Sequence, residues 1–257
     1  MSRILLWLFT GIISITLTTV VFLPASWMAS FIETQSAGRL SLGDVRGTLW
    51  SGSAFIGTTA GRIGPITPLL PGRFSWNVSP MVLLGSVYVE LKNAAALSQP
   101  MNVTGSWRNL QISPSSISLP AERLTGLGAP LNTIQPSGKM RLSWALLQLK
   151  ILDETVNMKG SMNLEMQKIA SRLSPVKPLG DYNLTVEWLG PQATVTLSTT
   201  QGPMLLSGTG VLINGRLQFS GKAEAEIGHQ ERLANFMNLL GQHRMEGNRD
   251  VISLEFQ

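Results

Sequence analysis

Along much of the chain, apolar and polar residues change places at every step. Val156, Met158, Gly160, Met162, Leu164 and Met166 alternate with Asn157, Lys159, Ser161, Asn163, Glu165 and Gln167. Leu217, Phe219, Gly221, Ala223, Ala225 and Ile227 alternate in the same way with Arg216, Gln218, Ser220, Lys222, Glu224 and Glu226. Shorter runs share the rhythm at Val87/Val89/Leu91, Met140/Leu142/Trp144/Leu146, Leu184/Val186/Trp188 and Ile252/Leu254/Phe256. Side chains on a strand point to opposite faces in turn, so each run predicts a strand with one wet and one apolar face. Gly-, Pro-, Asn- and Ser-rich breaks separate the runs, and Asn214-Gly215 between two of them is a hairpin signal.

Only Glu231–Leu240 carries a firm helical period, with Leu233, Phe236, Met237 and Leu240 on one face and Gly241 where a helix commonly stops. A short helical turn is expected at Ala121–Leu127. One or two short helices cannot cover the apolar faces of many strands, so the sheet must cover itself or leave a groove. A shift of 75 places superposes Gly85-Ser86 on Gly160-Ser161, Glu90 on Glu165, Pro100 on Pro175 and Gly105 on Gly180. That faint repeat raises two related β-layers, with shared turn chemistry as the alternative.

The start of the chain breaks the pattern. Ile4 to Leu23 is uncharged and mostly apolar, and as a helix rising ~1.5 Å per residue it would be ~30 Å long, the thickness of a bilayer's hydrocarbon core. Cleavable leaders carry shorter apolar regions of ~7–15 residues. Ala25 and Ala29 offer a cleavage site, whereas Pro24, Trp27 and Met28 resemble an interfacial anchor; length favours a retained anchor. Arg3 places the short end in the cytoplasm by the positive-inside rule, and the body on the other side. The expected organisation is a cytoplasmic tip at 1–3, a transmembrane helix at 4–23, a juxtamembrane linker at 24–40 and a β-domain at 41–257.

Composition changes little in this picture. A formal charge of +5 over 257 residues, spread along the chain, lacks the clustering of a nucleic-acid footprint. Attraction to an anionic membrane surface is the milder consequence. The count of Cys is 0, which excludes thiolate metal sites and disulfides.

Chemistry finds no foothold, and no catalytic, cofactor-binding or metal site is expected. His229-Gln230-Glu231 is expected to cap the helix start, and His243-Arg244 to sit at its carbonyl end. Gly208-Thr209-Gly210 lacks the spacing of a dinucleotide fingerprint, and Ser51-Gly52-Ser53 reads as a turn with no base beside it. Asn77, Asn102 and Asn183 begin glycosylation-type triplets that Asn- and Ser-rich chains produce by chance.

Several segments taken in order resemble one family. Val45-Arg-Gly-Thr-Leu-Trp-Ser-Gly-Ser-Ala54 follows the apolar run, then Phe74-Ser-Trp-Asn-Val-Ser-Pro80 with Leu83-Leu-Gly85 behind it. The middle carries Leu124-Thr-Gly-Leu-Gly-Ala-Pro-Leu-Asn-Thr-Ile-Gln-Pro-Ser-Gly138 and Leu142-Ser-Trp144. The end carries Gly208-Thr-Gly-Val-Leu-Ile-Asn-Gly215 and Leu239-Leu-Gly241. The series is similar to the type II secretion system protein N family. The resemblance implies a single-pass inner-membrane protein with a periplasmic β-domain, an accessory or assembly component of the bacterial machine that exports folded proteins across the outer membrane. It implies no catalytic residues.

The expected fold is therefore mainly β: one transmembrane helix, then a curved antiparallel sheet, sandwich or roll, with one or two short helices. Expected partners are the inner-membrane bilayer and other type II secretion proteins. Candidate contact residues are Leu233, Phe236 and Met237 on the helix and Ile252 and Leu254 on the last strand, which otherwise complete the core. The alternative function is a lipid or acyl-chain carrier with Met158, Met162 and Met166 lining an apolar groove, Met being adaptable. An outer-membrane barrel is a third reading, requiring the apolar run to be removed.

Overall fold

A computed structural model describes residues 2–36, 40–59, 66–127, 131–152, 155–213, 215–239, 242–246 and 249–256. Two helices open the chain, α1 (Ser2–Val21) and α2 (Ser26–Gln35). The strands are β1 (Ser41–Gly47), β2 (Ser51–Thr59), β3 (Ile66–Pro68), β4 (Phe74–Val78), β5 (Ser86–Lys92), β6 (Met101–Ser106), β7 (Asn109–Ile112), β8 (Ser115–Pro120), β9 (Pro136–Trp144), β10 (Leu147–Leu152) and β11 (Thr155–Ser171). They continue as β12 (Gly180–Gly190), β13 (Gln192–Gln201), β14 (Met204–Ile213), β15 (Arg216–Ala225), β16 (Gln242–Glu246) and β17 (Arg249–Phe256). Helix α3 (Leu131–Ile134) precedes β9, and α4 (Gln230–Met237) lies between β15 and β16. The helical turn expected at Ala121–Leu127 is present as a 3-10 helix over those residues.

Among the described residues, the 17 strands join one sheet, and every pairing among them is antiparallel. Most neighbours in sequence are neighbours in space, with these departures: β3 and β4 both pair with β2, β7 pairs with β10, β9 pairs with β8 and β11, and β17 lies between β15 and β16. Two strand lines, β7 with β8 and β9 with β10, are split by a corner. The pairings Ile112↔Leu147 and Ser115↔Trp144 keep one register on either side of Ser113-Pro114 and Ala145-Leu146. Pro114 has no N–H for the ladder, and a ladder that loses a rung can bend. Across β9–β10 and β11 the register shifts by one residue at the same level, a bulge that deepens the bend.

The corner lets the amino-terminal half curl over its own apolar face. Phe74, Ala96, Leu97, Trp144 and Leu147 form a buried cluster with Ile56, Leu91, Met158 and Met162 packed on it, from strands far apart in the sheet. The carboxy-terminal half is covered differently. Leu233, Phe236 and Met237 of α4 meet Met204, Ala223 and Ile252, with Val176 and Leu179 from the β11–β12 connection. The sheet thus covers itself in one half and borrows a helix in the other.

Some expectations need correcting. The stretch expected as a linker contains α2, whose Met28 packs with Ala25, Ala54 and Trp76. Ser51-Gly52-Ser53 is no turn but the start of β2. A Cβ on Gly52 would lie 2.5 Å from the Trp76 ring, so the glycine makes room for that indole. The shift of 75 joins strand to strand at 86–92 and 161–167 but not at its first glycine. Gly85 closes the 3-10 helix Pro80–Leu84, whereas Gly160 lies inside β11. The hairpin expected at Asn214-Gly215 is present, with Ile213 facing Arg216, though Asn214 itself lies outside the described residues.

Helix α1 is fastened where it ends. The indole Nε1 of Trp50 donates to the Val20 carbonyl at 2.8 Å. Leu49 N–H donates to Leu23 O at 2.8 Å, and Ala25 N–H to Gly47 O at 3.2 Å. Leu5, Trp7, Leu8, Phe9, Ile12, Ile13, Ile15 and Leu17 are exposed, and at 100° per residue they point in all directions. Among the described residues, no helix is long and apolar enough to cross a membrane; the side chains of Ser2, Arg3, Ile4 and Leu6 are not among those described.

Candidate functional site

The most distinctive surface is the apolar face of the sheet. Residues that face each other across an antiparallel ladder share a side, so the register traces the face strand by strand. Ile117, Leu142, Leu164, Leu184 and Leu197 form one row from β8 to β13. It continues through Gly208 and Gly221 to Leu254. The opposite side carries Ser118, Arg141, Glu165, Asn183 and Ser198, then Ser207, Lys222 and Ser253. The face is dry at both ends, where the two clusters lie. Between them Leu164, Leu184, Val186, Leu197 and Leu212 are only half-buried.

Phe219 shapes the floor of that middle region. A Cβ on Gly208 would lie 2.5 Å from the Phe219 ring, one on Gly221 2.7 Å and one on Gly210 3.0 Å. The ring therefore lies flat over three positions without side chains, and it is buried. A flat ring over glycines gives a smooth, shallow floor where branched side chains would have filled the space. Trp188 stands on the same face beside Gly160 and Ala193, and its indole N–H is buried without an acceptor. At the edge of the face, a cavity of about 700 Å³ opens between Leu119 and Met140 on one side and Lys139, Arg141, Glu122 and Glu165 on the other. Basic and acidic groups are mixed there.

Among the described residues, Tyr182 has a clearly displaced titration. Burial, and secondarily the negative charge of Asp181, push its hydroxyl well above the ordinary phenol range, and its Oη donates to Met204 O at 3.1 Å. This is a structural bond at the base of the α4 cluster. Among the described residues, no group of three or more His, Asp or Glu side chains could hold a metal ion.

Of the candidate contact residues, Leu233 and Ile252 are 0% exposed, and Phe236 and Met237 are nearly as buried. Leu254 is half-buried against them. These side chains hold α4 on the sheet. What α4 turns outward is Glu231, Arg232, Ala234 and Asn235. The last strand is paired on both sides as far as Ser253, and beyond it only β15 follows, up to Phe256, so Leu254–Phe256 keeps an open edge among the described pairings. Met158, Met162 and Met166 do share the apolar face. The first two pack on the Trp144 cluster, while Met166 lies between Met140 and Tyr182.

His229 stands at the start of α4, but its side chain makes no capping bond; Gln230 Oε1 accepts from Gly228 N–H instead. His243 and Arg244 belong to β16 rather than to a helix end, and their side chains lie outside those described, as do Leu240 and Gly241. The floor made by Phe219 escaped the sequence. Its signal, an aromatic on one strand facing glycines on the next, appears only once the register is known.

Comparison with family models gives one match, Type II secretion system (T2SS), protein N, over residues 38–251. Comparisons with curated proteins and with solved structures give no match.

Proposed function

Since the chain belongs to the type II secretion system protein N family, and so takes part in type II secretion, we infer that it works as an accessory or assembly subunit held at the inner membrane. Family membership across the β-body is the observation that carries this reading. The anchor is supported by the continuous helix Ser2–Val21, by the absence of charge between Arg3 and Glu33, and by apolar side chains exposed all round it. A helix apolar on every side is either buried in protein or in lipid. Retention of the anchor is supported by Ala25, which is 1% exposed and packed against Ala54 and Trp76. The body then occupies the periplasm and performs no catalysis. It offers partners the outward side of α4 and the open edge at Leu254–Phe256, where an extended segment could add by backbone pairing.

Photo-crosslinking in intact cells from probes at Asn235 and Glu255 tests this. Adducts to other secretion-machine proteins are expected from at least one site; adducts to lipid alone would overturn the subunit reading. One observation favours a second reading, an acyl-chain carrier: the half-buried apolar face between the two clusters, floored by Phe219. Mass spectrometry of lipid released from the purified protein decides it, and a lipid-free protein would remove it.

A further inference from the structure

The two rims of the sheet differ. One rim carries the ends of β10, β12 and β14 as bare hairpins, together with the β4–β5 and β6–β7 connections. The other is occupied by the Ala121–Leu127 turn, the β11–β12 connection and α4. Exposed large apolar side chains occur along the bare rim, at Leu152, Val156 and Leu189 among others, and several stand at its end nearest α1. Leu84 is 81% exposed, Trp107 58%, and Met81 and Leu83 56% each. The 3-10 helix that carries Met81, Leu83 and Leu84 is capped by Ser79 and built on Pro80. It is therefore a formed element that presents leucines to the outside.

A chain of hydrogen bonds places this patch beside the foot of α1. Trp50 donates from its indole to Val20 O, and its own carbonyl accepts from Val78 N–H at 2.7 Å. Two residues further on, the 3-10 helix begins. Trp107 reaches it from the β6–β7 turn and donates to Val82 O at 2.6 Å. At the same foot, Trp27 of α2 is 68% exposed, two residues beyond the buried Ala25. Two tryptophans and a leucine-rich turn thus flank the point where α1 meets the body, and the exposed Arg108 follows Trp107.

We propose that this collar, formed by Trp27, Met81, Leu83, Leu84 and Trp107, is seated in the interfacial layer of the bilayer that α1 enters. The occupant is the phospholipid surface itself. The inference rests on the anchor reading of α1, because continuity with that helix selects lipid over a protein partner. Tryptophan suits the boundary, its ring being apolar and its N–H polar. Leucines in a turn bury apolar area there, and Arg108 can reach phosphate. The collar makes a second attachment, so the body stands on the membrane at a fixed angle rather than swinging from a tether.

The chain has no cysteine, so single cysteines can be placed at will. Nitroxide labels at Leu84→Cys, Trp27→Cys, Ile13→Cys and, on the opposite rim, Ile227→Cys would be read in the full chain reconstituted into phosphatidylethanolamine–phosphatidylglycerol vesicles. Accessibility to oxygen, which partitions into lipid, is compared with accessibility to a water-soluble nickel chelate. Leu84 and Trp27 are expected to show severalfold less chelate access than Ile227, at a depth shallower than Ile13. Leu84 and Trp27 as open to chelate as Ile227, with Ile13 in lipid, overturns the collar and leaves the anchor standing. Ile13 open to chelate overturns the anchor, and with it the reason for placing the collar on lipid.

Discussion

Replacing Trp144 with alanine removes a buried indole and the bond it donates across the corner of the sheet. Trp144 is 8% exposed, packs with Phe74, Ala96, Leu97 and Leu147, and its Nε1 donates to Ser113 O at 2.9 Å. Ser113 stands at the interruption between β7 and β8, and Trp144 just before the one between β9 and β10, so one side chain ties both bends. Truncating a buried large aromatic to alanine costs about 3–5 kcal/mol. The Ser113 carbonyl is only part-buried and can turn to water, so losing its bond contributes at most ~0.5–1.5 kcal/mol, the net worth of a typical hydrogen bond. Trp144→Phe keeps most of the packing and loses the bond, so its expected loss is nearer ~0.5–1.5 kcal/mol, from the same hydrogen-bond range. Urea unfolding of the full chain in detergent, followed by far-ultraviolet circular dichroism, measures both, because the chain's 7 tryptophans blur a fluorescence readout. The midpoint should fall with the slope unchanged, and the thermal midpoint of Trp144→Ala by ~6–20 °C at ~2–4 °C per kcal/mol. A midpoint within ~0.5 kcal/mol of the parent, the range usual for surface substitutions, would refute the claim that the corner depends on this indole. Equal losses for the alanine and phenylalanine variants would refute the division between packing and hydrogen bond.

Ile13→Arg should shift the protein from the membrane fraction toward the soluble or degraded fraction, since a charge at mid-helix costs ~2.5–3.5 kcal/mol on insertion; normal sedimentation with membranes would count against the anchor. Gly208→Val should destabilise by ~1–3 kcal/mol as an overpacked core does, its Cβ meeting the Phe219 ring at 2.5 Å and Gly221 Cα at 2.7 Å. Adding Phe219→Ala should leave a double variant less damaged than the sum of the two, and strict additivity would mean that the ring does not cover Gly208. Tyr182 holds its proton more tightly when folded, so its share of stability is complete below the unfolded phenol range of ~10 and is lost as pH rises from there through the higher folded value. Tyr182→Phe should lower stability by ~1 kcal/mol at neutral pH, through its bond to Met204, and flatten the alkaline decline; an equally steep decline in the variant would exclude Tyr182 as its source.

What the sequence disclosed depended on how much each pattern needed from elsewhere in the chain. Alternation across 156–166 and 216–225 was legible because one side of those strands is dry and the other wet, a local fact. The corner was not, because Ser113-Pro114 and Ala145-Leu146 look like ordinary breaks until register shows them facing each other. Gly52 read as turn chemistry, yet it serves Trp76 on a neighbouring strand. Helix α2 follows Pro24 and is only 10 residues long, too short for a convincing period, and it is held by Ala54 and Trp76 from outside itself. At the site, the methionines of β11 share the apolar face with Leu164, a placement that period alone decides. The apolar stripe of α4 was legible too; that it is spent on the sheet and leaves Arg232 and Asn235 outward is settled by packing.

The three bonds that fasten residues 20–25 to the β1–β2 hairpin make α1 and the sheet a lever. The body is attached at one extreme of the ladder, and β16 and β17 lie at the other. A tilt at the foot would swing that end through a distance set by how far the curled sheet reaches from it. Helix tilt in turn follows the mismatch between apolar length and bilayer thickness. On the anchored reading proposed for α1, the thickness of the bilayer would set the height at which β16 and β17 stand above it.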